Sequence, residues 1–427
     1  MLTARRPGYR RTTELGLLLL AGVFTVGAYI LASLGKAASL PANVVPFLVA
    51  LLVLMAGAHV ATRRLAPGSS QVILPLAAFL NGLGYVFIAR LDPHLAGLQA
   101  TWTAIGVGAY ILTLVLVPRV QVLERYRYLV ALAGIVLLLL PLVPKVGQNI
   151  NGARLWIRLG PLTFQPVELA KIALAVFFAS YLVEKRDLLA TPTRRVGNLL
   201  LPDPRPFGPL VLMWGLSLLV MTAERDVGFS LLIFVLFIAT LWIATGRSAY
   251  LGLGAVLFGL GALLADKLFP HVHDRIQVWL NPWPHANDIG YQAIQALYAM
   301  GSGGVAGSGL GLGRPELVPV VASDYIFAAI GEELGLMGTT LVVFAFLLLV
   351  GTGLRIALRA RSDFAKLLAA GLTAILGFQA FFIMAGVVRL LPVTGVTLPF
   401  VAYGGSSLVA NYILIALLIR TSDARAI

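Results

Sequence analysis

Apolar residues run along this chain in blocks of about twenty, separated by short polar stretches, over nearly its whole length. A helix rising ~1.5 Å per residue needs about twenty such residues to cross the ~30 Å hydrocarbon core of a bilayer. Blocks of that kind fall near 14–34, 43–62, 71–89, 100–118, 128–144, 165–184, 207–223, 228–245, 248–268, 325–353, 366–388 and 398–419. The pattern predicts an all-α polytopic membrane protein with about twelve transmembrane helices. The first block is too long for a removable signal peptide and lacks a small-residue cleavage site, so it reads as an anchor that stays.

Composition agrees. The 427 residues are 59% hydrophobic and 12% charged, whereas soluble domains are about a quarter charged. With no cysteine, disulfides and thiolate metal sites are excluded. A net charge of +14 would suggest nucleic acid in a soluble chain; in a membrane chain the distribution decides. With the N-terminus inside, 21 of the 32 Lys and Arg fall on the cytoplasmic side, among them Arg5, Arg6, Arg10, Arg11, Arg119, Arg125, Arg127, Lys185, Arg186, Arg194, Arg195, Arg355, Arg359 and Arg361. Ten fall outside, and Lys171 lies within a span. This follows the positive-inside rule, places both termini in the cytoplasm and sets nucleic acid aside as a partner.

The connections differ in character. The stretch 185–206, with Pro192, Pro202, Pro204 and Pro206 among basic residues, reads as a solvated tether between two groups of six spans. The stretch 269–324, predicted outside the membrane, is far longer and rich in Gly, Trp, Pro and His. Loops of that length usually carry function. Within it, residues 291–300 place Gln292, Ile294, Gln295, Leu297 and Tyr298 in the pattern of a short amphipathic helix lying on the bundle.

Ionisable residues inside spans cost roughly 2.5–3.5 kcal/mol each on insertion scales, so they mark candidate sites. Glu168 and Lys171 stand three apart on one face of the sixth span, behind Pro166 at its start. An internal ion pair that orients two helices fits as well as a ligand-facing role. Glu224, Arg225 and Asp226 close the seventh span, a placement common for interfacial charge. Asp324 opens the tenth span, where helix capping alone would explain it. Glu332 and Glu333, further in, are harder to explain that way. The loop adds His271, His273, Asp274, Arg275, His285 and Asp288, none decisive alone. Its glycines from Gly301 to Gly313 lack the strand and βαβ setting of a nucleotide-binding loop and read as tight turns. In Tyr403-Gly404-Gly405-Ser406-Ser407, small residues and hydroxyls suit close contact between helices.

Four stretches together resemble a known family. They are Asn151-Gly152-Ala153-Arg154 through Lys171, Gly290-Tyr291-Gln292 through Gly313, Ser323-Asp324-Tyr325 with Gly331-Glu332-Glu333, and Leu391-Pro392-Val393-Thr394-Gly395 through Ser407. From about residue 80 to the end, in order and spacing, the chain is similar to the SEDS proteins, the RodA/FtsW/SpoVE group. The resemblance implies a peptidoglycan glycosyltransferase polymerising lipid II outside the bacterial cytoplasmic membrane, for elongation or division, beside a class B penicillin-binding protein. It further implies a SEDS-like region from residue 71 to 427, preceded by two extra spans in 1–70. A divalent cation, Mg2+ or Mn2+, is left as an open cofactor, with no metal ligands assigned.

Such a reaction needs a base for the acceptor hydroxyl and cations for the departing pyrophosphate. The family's essential loop aspartate falls about six residues before Gly-Tyr, where this chain has Pro284-His285-Ala286. Asp288 comes three residues later and is the expected catalytic residue, with His285 the alternative. Glu168, Lys171, Arg154, Asp226, Arg275, Asp324 and Ser406 are the expected substrate-binding residues, although Val167 and Glu224-Arg225 depart from the family's usual motifs. A lipid II flippase or secondary transporter fits the twelve-span layout. Against it, nothing in the first six spans mirrors the long loop or the acidic tenth span. A scaffold that only activates its partner would keep the fold without needing Asp288.

Overall fold

The computed structural model describes residues 12–423 apart from 39–43, 151–152, 161, 191–193, 197–198, 202–204 and 225. Arg5, Arg6, Arg10, Arg11, Asn151, Gly152, Pro192, Pro202, Pro204 and Arg225 lie outside the described residues.

The chain opens with α1 (Thr12–Ala37) and α2 (Val44–Leu65), then α3 (Ile73–Leu91), α4 (Pro93–Leu116), a one-turn α5 (Gln121–Arg125) and α6 (Arg127–Leu139). An antiparallel sheet in the order β1 (Gly147–Ile150), β2 (Ala153–Leu159), β3 (Leu162–Phe164) leads into α7 (Val167–Ala190). A ribbon of β4 (Arg194–Val196) and β5 (Leu199–Leu201) interrupts the basic connection before α8 (Gly208–Glu224), α9 (Val227–Thr245) and α10 (Ala249–Leu268). The long loop holds α11 (Pro270–Leu280) and α12 (Tyr291–Gly303), and α13 (Ile326–Arg359), α14 (Asp363–Val387) and α15 (Gly405–Ser422) finish the bundle.

Each of the twelve apolar blocks coincides with a helix. Among the described residues, nine helices are long and apolar enough to cross a membrane by length and composition. Of the other three, α6 and α8 are shorter apolar helices, and α7 carries the buried Glu168 and Lys171. Large apolar side chains such as Leu129, Leu212, Leu263 and Phe344 are exposed, while Glu168, Lys171 and Gln379 are buried. That reversal of the soluble pattern is what a lipid solvent requires, and the protein is a polytopic helical membrane protein.

The core forms where α7, α9 and α14 meet, through Leu174, Ala175, Phe178, Ile233, Leu236, Leu372 and Ile375. Small residues set the spacing: Gly371 of α14 faces Ala175 and Leu236, and Gly405 of α15 lies flat against Trp102 of α4. The two N-terminal helices are part of the same body. Thr25 of α1 sits against Gly82 of α3, Thr62 of α2 meets the Tyr110 hydroxyl at 2.5 Å, and buried Glu14 pairs with His59 at 2.8 Å.

Two spans differ from the sequence expectation. The tenth is not one rod. At 34 residues, α13 would reach ~51 Å if straight, but it breaks at Gly335 (φ 65°, ψ −160°), a conformation that glycine adopts at little cost. The break orphans backbone groups, and the glycine loop satisfies them. Leu336 and Met337 N–H donate to Gly304 and Val305 carbonyls at 2.9 and 3.1 Å, while Ser308 and Gly309 N–H donate to Glu332 and Glu333 carbonyls at 2.9 and 3.0 Å. The twelfth span, expected from 398, becomes helical only at Gly405. Residues 391–404 are irregular, with Phe400 at φ 65° and Gly395 at φ 76°. Non-helical backbone at this depth is tolerated where protein groups satisfy it.

Candidate functional site

Lys171 is fully buried on α7. It donates to Glu168 Oε2 at 2.5 Å and to Gln379 Oε1 of α14 at 2.7 Å, and it lies 5.7 Å from the centre of the Phe229 ring. A buried ion pair holds its charges only when further hydrogen bonds satisfy them. Gln379 extends the pair outward: its Nε2 donates to the Thr397 carbonyl at 3.0 Å and to Ser407 Oγ at 3.4 Å. The pair is therefore tied to the irregular segment 391–404. Ser406 Oγ accepts the Gln165 N–H at 2.7 Å, fixing the entry to α7 against α15.

Two further groups reach the same segment. Asp226 caps α9 by accepting the Phe229 N–H at 3.0 Å, and Gly228 packs directly on the Thr394 carbonyl. Among the described residues, Asp226 Oδ2 and Glu224 Oε1 are buried with no hydrogen-bond partner, as are the Thr394 and Thr397 hydroxyls. Burial pushes the Asp226 carboxyl up to about 6, against the opposing pull of the Phe229 N–H and Arg275. Arg275 of α11 donates from Nη1 to the Thr394 carbonyl at 3.0 Å.

A cavity of about 270 Å³ opens beside this segment, between α11, the start of α12 and the start of α13. Asp274, Arg275, Gln292, Asp324 and Arg389 give it a polar wall. Asp324 is half-buried; burial raises its carboxyl, and the Ser323 hydroxyl and Arg275 pull it back less strongly. It does not cap α13, whose N-terminus carries no side-chain cap, so the capping explanation is corrected. Arg389 donates to the Trp279 carbonyl at 2.8 Å, and the Trp279 indole N–H donates to the Arg389 carbonyl at 3.1 Å, pinning α11 to the segment. Another cavity, about 290 Å³ between α1, α2, α3 and α4, has an almost wholly apolar lining and lacks the charges this chemistry needs.

Of the residues expected from sequence, Glu168, Lys171, Asp226, Arg275, Asp324 and Ser406 gather around residues 391–404. Two do not. Asp288 is exposed on the turn before α12, where its backbone bonds to His285 and Tyr291 at 3.1 Å each. It is not among the cavity's lining residues, although the adjacent Ile289 is. Arg154 is exposed on β2 and likewise lies outside that lining. Glu332 and Glu333 have a structural explanation. Glu333 takes Arg90 Nε at 2.5 Å and the Gly311 N–H at 2.9 Å, and Glu332 takes the Arg314 N–H at 2.7 Å. Arg90 also holds Glu316 at 2.9 Å and the Gly313 carbonyl at 2.6 Å.

Sequence reasoning missed Gln379, Arg389 and Arg90. A lone glutamine in an apolar span was a usable signal for the first; nothing local distinguished the two arginines from loop cations. Among the described residues no three His, Asp or Glu side chains converge.

The arrangement defines a class: a helical membrane protein with a buried ion pair wired to an irregular segment beneath a polar cavity. Residues 72–426 match the model of the FtsW/RodA/SpoVE cell cycle protein family, and the chain belongs to that family. It is 42% identical over 425 residues to the peptidoglycan glycosyltransferase RodA of Mycobacterium tuberculosis, covering 97% of this chain and 90% of that one. It is 34% identical over 377 residues to a probable peptidoglycan glycosyltransferase FtsW of a Geobacter species, covering 84% and 98%. Among solved structures it resembles the rod shape determining protein RodA of Thermus thermophilus (TM-score 0.59, 26% identity, 84% and 97% covered). It also resembles a chain of a peptidoglycan synthase complex that coordinates polymerization and crosslinking (TM-score 0.67, 25% identity, 84% and 99% covered).

Proposed function

We propose that this protein is a peptidoglycan glycosyltransferase that polymerises lipid II at the outer face of the bacterial cytoplasmic membrane, for elongation or division, beside a class B penicillin-binding protein. Membership of the family and the named activities of its relatives support the activity. The observation that carries the site is the meeting of the Glu168–Lys171 pair, Asp226 and Arg275 on residues 391–404, next to a cavity with a polar wall. The proposed topology has twelve spans and cytoplasmic termini, which puts the cavity outside. A reporter fused to the chain ended after residue 195 should then be cytoplasmic and one fused to the chain ended near residue 306 external; finding both on one side would refute the topology.

In the reaction, the acceptor sugar's hydroxyl attacks the donor's anomeric carbon, the bond to the lipid pyrophosphate breaks, and a base takes the hydroxyl proton. Arg275 and Arg389 supply positive charge for the pyrophosphate. The base is Asp288, on the rim one residue from the cavity lining, open to an acceptor entering from outside. A second reading makes Asp324 the base, because it lies inside the cavity and burial raises its carboxyl toward working pH. Purified protein with labelled lipid II and its penicillin-binding partner tests the whole proposal. Glycan strands support it; lipid II moved across vesicles without polymer would make the protein a flippase, and neither activity would leave a scaffold.

A further inference from the structure

At the end of the bundle opposite the polar cavity, a second pocket of about 380 Å³ lies between the α2–α3 connection, the last turns of α13 and the end of α15. Its lining includes Arg355 and Arg359 and no carboxylate. The two arginines are four apart on one helix, so both guanidinium groups serve the same face. Arg420, at the end of α15, is engaged: it donates to the Leu65 and Leu114 carbonyls and lies 3.7 Å from Asp423. Among the described residues Arg355 and Arg359 have no hydrogen-bond or ion-pair partner. Both are exposed, and because like charges at this spacing repel, an anion held between them would offset that repulsion. The start of α3, which has no side-chain cap, borders the pocket through Val72 and adds the positive end of a helix dipole.

We propose that this pocket binds the phosphate of an anionic phospholipid. Phosphate oxygens match the planar fork of arginine, and basic pockets between membrane helices recognise lipid head groups in this way. A lipid is favoured over free phosphate because the flanking α13 residues Leu354 and Leu358 are 45% and 82% exposed, giving acyl chains a surface beside the head group. The proposed orientation puts the lipid in the cytoplasmic leaflet; the binding itself does not depend on glycosyl transfer.

The test is native mass spectrometry of the full-length protein equilibrated with mixed phosphatidylglycerol and phosphatidylcholine, without substrate. Wild type should retain phosphatidylglycerol selectively, and Arg355→Gln with Arg359→Gln should lower that retention by about tenfold or more. Arg119→Gln with Arg125→Gln removes the same charge from exposed positions outside this pocket and should leave retention unchanged. Arg355→Lys with Arg359→Lys keeps the charge but loses the fork and should retain less than wild type and more than the glutamine variant. Equal losses in the two glutamine variants would reduce the arginines to general surface charge and overturn the proposal, as would full retention in the Arg355→Gln with Arg359→Gln variant. Thermal stabilisation by inorganic phosphate equal to that by short-chain phosphatidylglycerol would overturn the lipid assignment.

Discussion

Two buried charge clusters in this bundle look alike in sequence and differ in how completely they are satisfied. Around Glu333, the Arg90 guanidinium and the Gly311 N–H take both carboxylate oxygens, and Arg90 bonds on to Glu316 and Gly313. Around residues 391–404, by contrast, Asp226 Oδ2 and the Thr394 and Thr397 hydroxyls are buried without partners among the described residues, where the first cluster leaves only Glu332 Oε2 so. An unpartnered buried polar atom costs about 1–3 kcal/mol. A carboxylate with both oxygens taken holds a fold together, whereas unpartnered atoms on a segment whose neighbours Val393 and Gly395 line a cavity leave that segment less completely bonded.

The largest effect should come from opening the closed cluster. Arg90→Ala strands Glu333 as a buried unpaired charge and should cost about 3–5 kcal/mol of stability, read as a fall in melting temperature and folded yield, with little change in rate per folded molecule. Lys171→Ala and Glu168→Ala should each lower polymerisation while the protein still folds. The neutral pair Glu168→Gln with Lys171→Met sharpens the contrast, because it should recover stability but not rate. If it polymerises normally, the two clusters are both structural. Next come the candidate bases. Asp288→Asn should cost about 10²-fold in lipid II polymerisation with binding intact, and His285→Ala should cost little. Should Asp324→Asn show that loss instead, the base moves into the cavity; should His285→Ala be the inactive variant, it moves to the histidine.

Asp226 gives a smaller, pH-dependent effect. Its carboxyl is raised from an ordinary value near 3.8 to about 6, so the native state binds its proton more tightly than the unfolded chain does. Its ionisation therefore destabilises the fold above pH 6, and this penalty disappears as pH falls below the unfolded value. Asp226→Asn keeps a capping side chain and should raise stability by on the order of 2 kcal/mol at pH 8 and by much less near pH 4. A melting-temperature gain independent of pH would contradict this. Ser406→Ala should have the smallest effect, about 1 kcal/mol for the lost acceptor of the Gln165 N–H, with the rate unchanged.

Hydropathy located every long helix because the solvent is lipid and burial of apolar length is the dominant signal. It was silent where the backbone leaves that regime. The break at Gly335 and the irregular stretch before Gly405 lie inside apolar text, and only the tertiary partners of their freed backbone groups reveal them. The sheet from Gly147 to Phe164 passed as a plain connection because its strands are too short to show a reliable alternation. Glu168 and Lys171 were legible as intramembrane charges, but their connection to segment 391–404 through Gln379 depends on a contact 208 residues away in sequence. Asp288 and Arg154 were chosen from the resemblance to the SEDS family, and the fold sets both at the periphery. Arg90 could not be separated from ordinary positive residues at span ends until its partners were seen.

The glycine loop and the broken helix above also constrain how the chain can change. Four backbone bonds tie the two stretches crosswise, Gly304 and Val305 to Leu336 and Met337 and Ser308 and Gly309 to Glu332 and Glu333, so they behave as a zip fastener whose teeth must stay in step. A residue inserted between Gly304 and Gly309 would put every later tooth out of alignment, while the turn at 281–290 carries no such pairing with a distant segment. The fold should therefore accept growth and shortening of the long loop ahead of α12 and reject them behind it, while the activity should fall with any change that displaces Asp288.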